Sequence, residues 1–180
     1  SVGTSWPAIL SEGSSPTVRN SYIGYSSGDG IQVLSEAAPT VARNVIGASR
    51  GDGMEVTSGA APTVEDNLFL SNWGNAVKMD AGALASFEGN SASNNGANAV
   101  YVAGNVSATT TWQADLPYHI QSATVNTGVT LTLEPGAIVK LLQNGGITAN
   151  GTLIATGTPT DTIVFTSVHD DTHGGDTNNN

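Results

Sequence analysis

The chain has 180 residues, with 15 acidic against 5 basic side chains and a formal net charge of −10. That balance excludes the basic footprint needed to hold nucleic acid or an anionic membrane surface, and the lack of cysteine excludes disulfides and thiolate metal sites. Only 11% of residues are charged and 22 are glycine, a composition that fits short strands and tight turns better than a helical bundle. No apolar run is long enough for a membrane-inserted helix. The chain opens at Ser1 in the middle of a pattern, as a processed or excised piece would.

A repeat of 23 residues governs the first half. Ser15-Pro16-Thr17-Val18 returns as Ala38-Pro39-Thr40-Val41 and as Ala61-Pro62-Thr63-Val64. Gly28-Asp29-Gly30-Ile31 returns as Gly51-Asp52-Gly53-Met54, then as Gly74-Asn75-Ala76-Val77. A fourth, eroded copy keeps step through Ser86-Phe87 and Ala97-Asn98-Ala99-Val100. Stacking the copies gives apolar columns: Val18, Val41, Val64 and Phe87; Ile23, Ile46, Phe69 and Ala92; Ile31, Met54, Val77 and Val100. Val33, Val56, Met79 and Val102 follow two residues after the third column, at strand spacing. Short β segments inside a long, insertion-free period mean the coils of a solenoid, each burying its row of like side chains against its neighbours.

A polar column, Ser21, Asn44, Asn67 and Asn90, accompanies the apolar ones. Asparagine tolerates left-handed backbone at a tight turn, and stacked amides can bond along the solenoid, so Asn44, Asn67 and Asn90 are expected to form a ladder. The signature Pro-Thr-Val-x-x-Asn followed by Gly-Asp-Gly-x-x-Val resembles the parallel β-helix repeats of the pectin-lyase-like superfamily over residues 15–102. The fold class expected is all-β, a right-handed parallel β-helix, with residues 1–105 as coils carrying the ladder.

After Gly104 the period breaks, and residues 106–117 read as a connector. Strand patterns resume in Val129-Thr130-Leu131-Thr132-Leu133, Ala137-Ile138-Val139-Lys140, Gly151-Thr152-Leu153-Ile154-Ala155 and Thr162-Ile163-Val164-Phe165-Thr166-Ser167. Residues 118–180 resemble the opening coils of β-helix regions in large bacterial surface and secreted proteins, ending in an Asp/Gly/Asn loop. Opening-type coils thus follow ladder coils. That order suggests either a piece cut from a longer protein or subunits that join head to tail into a homopolymer, since an uncapped coil end leaves strand edges free.

Two groups are candidates for chemistry. Glu55, Lys78 and Tyr101 share one outward row with Gln32 and form the candidate carbohydrate-binding residues; an acid, an ammonium and a phenol on one face also suit acid–base work. Adjacent Glu55 and Lys78 equally suit a plain cross-strand charge pair. No outward row gathers the carboxylate cluster of polysaccharide lyases or glycosidases, so no catalytic residue is assigned. Asp176-Thr177-Asn178-Asn179-Asn180 matches the start of a calcium-loop pattern. Asp170, Asp171, Asp176, Asn178 and Asn180 are therefore the candidate calcium ligands, against the plainer reading of a solvated acidic tail. His119 stands alone and carries no signal. The expected function is that of an extracellular or cell-surface fibre, stalk or adhesin segment; the alternative is a module that binds or cleaves polysaccharide.

Overall fold

A computed structural model describes residues 5–179. It is a continuous all-parallel solenoid of about seven coils with no helix among the described residues. Sheet A takes one strand from each coil and a last strand beyond them: Ile9–Ser11, Ile31–Val33, Met54–Val56, Asn75–Asp80, Ala97–Ala103, Tyr118–Ile120, Ile138–Leu141 and then Val164–Ser167. Sheet B (Thr17–Arg19, Thr40–Ala42, Thr63–Glu65, Ser86–Glu88) and sheet C (Tyr22–Gly24, Val45–Gly47, Leu68–Leu70, Ser91–Ser93) close the first four coils. Sheet D (Asn105–Val106, Ala123–Val125, Ile147–Ala149) and sheet E (Thr110–Trp112, Thr130–Leu133, Thr152–Ala155) close the later ones.

The expected columns are the pairing register. Val18, Val41, Val64 and Phe87 pair in sequence, as do Ile23, Ile46, Phe69 and Ala92. In sheet A, Ile9, Ile31, Met54, Val77, Val100, Tyr118, Val139 and Phe165 make one inward column through the whole molecule. From Ile31 to Val139 every member of that column is buried. Each such side chain contributes about 1.5–3 kcal/mol relative to an exposed one, which is why a chain this poor in large apolar residues can hold a fold.

Residues 106–117 differ from the expected connector. They carry the end of a sheet D strand and the sheet E strand Thr110–Trp112, which pairs Thr110 with Leu131 and Trp112 with Leu133. The period breaks at Gly104 because sheets B and C end there and D and E begin, while sheet A runs on. The changed coil outline is filled by Trp112 and Tyr118, both buried and stacked at 5.1 Å between ring centroids. Trp112 thus covers core, whereas Trp6 and Trp73 lie exposed.

Two corners recur in each early coil, and both turn on left-handed backbone. Between sheets B and C the φ values are 52° at Asn20, 55° at Arg43, 53° at Asp66 and 67° at Gly89. The left-handed residue is therefore the one before the ladder asparagine, not the asparagine itself as the turn reading implied. Leaving the strand this way aims the next side chain inward. After sheet C the corner repeats at Tyr25, Ala48, Ser71 and Asn94, with φ of 59°, 56°, 57° and 55°. Gly47 is needed for close approach, because a Cβ there would lie 2.3 Å from the Leu70 carbonyl oxygen.

Candidate functional site

The inward corner residues form ladders of amides. Asn44 Nδ2 donates to Asn67 Oδ1 at 3.0 Å, and Asn67 Nδ2 donates to Asn90 Oδ1 at 3.1 Å. Each amide also donates to a carbonyl across the corner, Val18, Val41 or Val64, at 2.8–2.9 Å. The ladder ends on Asp115, whose carboxylate accepts from Asn90 N (3.0 Å) and Asn90 Nδ2 (2.8 Å). Burial raises the Asp115 pKa, with these hydrogen bonds opposing. A second ladder, absent from the expectations, runs Ser49, Asn72, Asn95 and Asn98. Its column at 23-residue spacing begins with Ser26 and Ser49, which hid the asparagines that follow. A shorter third run joins Asp29, Asp52 and Asn75. It stops there because a bulge pairs Asn75 with Ala97, turning the Asn98 side chain to the second ladder.

The candidate carbohydrate residues do share one face. Sheet A pairs Leu10, Gln32, Glu55, Lys78, Tyr101, His119, Lys140 and Thr166 in one outward row, with successive members about 4.8 Å apart along the axis. Lys78 Nζ lies 2.6 Å from Glu55 Oε1, and Gln32 Nε2 donates to Glu55 Oε2 at 2.5 Å. Partial burial tends to raise the Glu55 pKa, but the hydrogen bonds from Lys78 and Gln32 outweigh it, and the net shift is downward. The Glu55 hydrogen bond raises that of Lys78. Both Glu55 oxygens are thus engaged, and the pair is a charge-matched strut between coils. Tyr101 sits half-buried beside it.

Beyond Tyr101 the row disappears under the C-terminal segment. After Val168, residues 169–179 leave the solenoid's path and run back along the outside of sheet A. Lys140 is fully buried, and its Nζ donates to the carbonyls of Asp170 and Gly175, each at 2.7 Å. His119 is buried with Nε2 2.7 Å from Thr177 Oγ1. Desolvation, and then the Lys140 charge, push the His119 pKa down to about 4. Neither residue stood out in the sequence, because the coils after Val102 no longer keep the 23-residue step and the row cannot be followed by counting.

The candidate calcium ligands lie in this segment. Asp170 Oδ1 accepts from Thr172 N (2.9 Å) and Thr172 Oγ1, while Oδ2 takes Thr166 Oγ1 (2.7 Å) and lies 2.8 Å from His173 Nδ1. The hydroxyls of Thr172 and Thr166 and the His173 ring hold the Asp170 carboxyl well below the usual range. Asp176 Oδ1 accepts from the backbone of Asn178 and Asn179. Asp171 is exposed, and Asn180 lies outside the described residues. Among the described residues no group of three or more His, Asp or Glu side chains stands together as a metal would need. Desolvation lowers the pKa of the buried Lys140, and the charges of Asp171, Asp170 and Asp176 oppose that shift.

The ends of the solenoid are the remaining distinctive surface. Phe165 closes the inward column that Val139 occupies one coil earlier, yet it is 48% exposed where Val139 is 0%. Leu153 pairs with buried Leu131 and Ile147 with buried Ala123, and both are only partly covered, as is Ile163. Phe165, Leu153 and Ile147 are thus the last members of inward columns, with no coil stacked on their outer side.

Among the described residues no helix is long and apolar enough to cross a membrane. No curated protein and no solved structure matched the chain. The family described as "Right handed beta helix region" matches residues 5–113. That match covers the Asn-ladder coils and the handover to sheets D and E, and with the parallel coils it establishes that the chain belongs to the right-handed β-helix family.

Proposed function

We propose that the chain is a structural β-helix segment working outside the cell, which joins end to end with a second copy through its open coil ends. One observation carries this reading: the last coil leaves Phe165 exposed and Ile163, Leu153 and Ile147 only partly covered, beside three strands whose outer edges are unpaired. The covering segment 169–179 lies along the flank and leaves this end open. At the other end Ile9, the first member of the sheet A column that Phe165 closes, and Val18, the first of the sheet B column, are also only partly buried. A head-to-tail contact would continue the sheet A column, cover the other end residues and pair free edges, and repeated contacts of this kind make a filament.

Right-handed β-helix regions occur in enzymes and in non-enzymes. Carbohydrate recognition or cleavage through Glu55, Lys78 and Tyr101 is the competing reading. It is weakened by the use of both Glu55 oxygens within the row. Negative-stain microscopy of the purified chain, alongside a polysaccharide binding and cleavage panel, separates the two. Rods that lengthen with concentration support assembly. A monomer that binds or releases sugar, and loses this with Glu55→Ala or Lys78→Ala, overturns it.

A further inference from the structure

The segment 169–179 touches sheet A almost wholly through polar contacts. Lys140 Nζ is held by two of its carbonyls, His119 by Thr177, and the Asn98 N–H donates to the Thr177 carbonyl at 2.8 Å. Farther on, Asn179 Nδ2 donates to the Asn95 carbonyl at 2.6 Å. Between these points residues 171–176 are exposed, and Gly174 and Gly175 sit at positive φ, 72° and 73°. Such an attachment differs from the coils themselves, whose contacts are apolar columns and parallel ladders. Regions with few buried apolar contacts open locally at a free energy well below that of global unfolding.

What it covers is also unusual. An outward position on a solenoid sheet normally meets water, yet His119 and Lys140 are buried there with their polar atoms met by the segment. Gly174 fits against Pro117 and Ile138, where an added Cβ would approach to 3.0 and 3.2 Å. The seat is therefore shaped for this backbone, but nothing apolar of any size locks it down.

We propose that residues 169–179 form a displaceable strap that sets the length of the polar row on sheet A. With the strap down the row ends at Tyr101. With it lifted the row runs on through His119 and Lys140, adding an ammonium and an imidazole to the exposed face while the coils stay folded. The device is distinct from end-to-end assembly, since the strap lies on the outer face of sheet A whereas assembly would use inward columns and free strand edges.

Lys78 and Lys140 are the only lysines in the chain, which makes the test direct. The full-length protein is treated with an amine-reactive reagent under native conditions, and labelling of each lysine is followed by mass spectrometry. Exchange of the Val100 amide, which donates to the Pro117 carbonyl within the coils, reports global opening. The strap predicts that Lys140 reacts more slowly than Lys78 but at least tenfold faster than Val100 exchanges on a common opening scale. Thr177→Val, which removes the His119 contact, should raise the Lys140 rate by roughly tenfold and leave Val100 unchanged. Lys140 labelling that tracks the Val100 amide in both proteins would overturn the proposal, as would a Thr177→Val rate equal to wild type.

Discussion

Asn67 shows how much of this fold rests on single polar side chains. It is buried, its Oδ1 accepts from Asn44 N and Nδ2, and its Nδ2 donates to the Val41 carbonyl and to Asn90. Asn67→Leu would strand several of these groups away from water, and each unmet buried partner costs about 1–3 kcal/mol. Chemical denaturation of the variant should show a loss of roughly 3 kcal/mol or more, enough to remove much of the stability of a typical domain. Glu55 and Lys78 make the opposite case. Their pair is part-exposed, with Lys78 at 43% and Glu55 at 19% side-chain exposure, so a double-mutant cycle with Glu55→Gln and Lys78→Met should give a coupling of only about 0.5–1 kcal/mol. A coupling of several kcal/mol would mean the pair is held for more than coil-to-coil registration.

His119 supplies a pH dependence with a definite sign. Its folded pKa, about 4, lies below the ordinary 6.5, so the buried ring is neutral. Stability that depends on this burial is complete above pH 6.5 and is lost as pH falls toward 4, at up to about 1.4 kcal/mol per pH unit. The groups facing the ring are Tyr101 and Lys140 on the neighbouring strands and Thr177 in the strap. Of these Lys140 opposes protonation. Thermal melts of wild type and His119→Gln between pH 7 and 4.5 should therefore diverge, the wild type losing stability more steeply with acid. Parallel curves would show that the ring is already accessible. The sequence offered no hint of this, because a histidine acquires such a shift only from what the chain folds over it.

At the scale of elements, legibility tracked the constancy of coil length. Where no residue is inserted, counting by 23 finds the partner in the next coil, so every apolar column of the first half and the first asparagine ladder could be read as written. The second ladder obeys the same count from Ser49 through Asn72 to Asn95, but its column opens on Ser26 and Ser49, so the asparagines do not stand out. Past Gly104 the coils change length and corner position. Residues 106–117 then look like a connector although they are strand, and His119 and Lys140 look isolated although they continue the row of Gln32, Glu55, Lys78 and Tyr101. The same logic makes corners sensitive. Gly47→Ala would place a methyl 2.3 Å from the Leu70 carbonyl oxygen. It should cost about 2 kcal/mol or more in denaturation experiments, because backbone on the adjacent coil must move.

At the scale of the molecule, a solenoid has no intrinsic reason to stop, since each coil is stabilised by its neighbours and the last one is always half-solvated. Inward side chains on the last described coil lack a neighbour on one side, and the large, half-exposed Phe165 concentrates that exposure in one place. Covering it with another coil would contribute about 1–2 kcal/mol from this ring alone, with Leu153, Ile147 and Ile163 adding to it. Sedimentation velocity of the wild type and of Phe165→Asp across a wide concentration range tests this most directly. The wild type should form elongated species growing with concentration, while Phe165→Asp stays monomeric with its coils intact by circular dichroism. A wild type that remains monomeric throughout, or a Phe165→Asp variant that associates equally well, would contradict it.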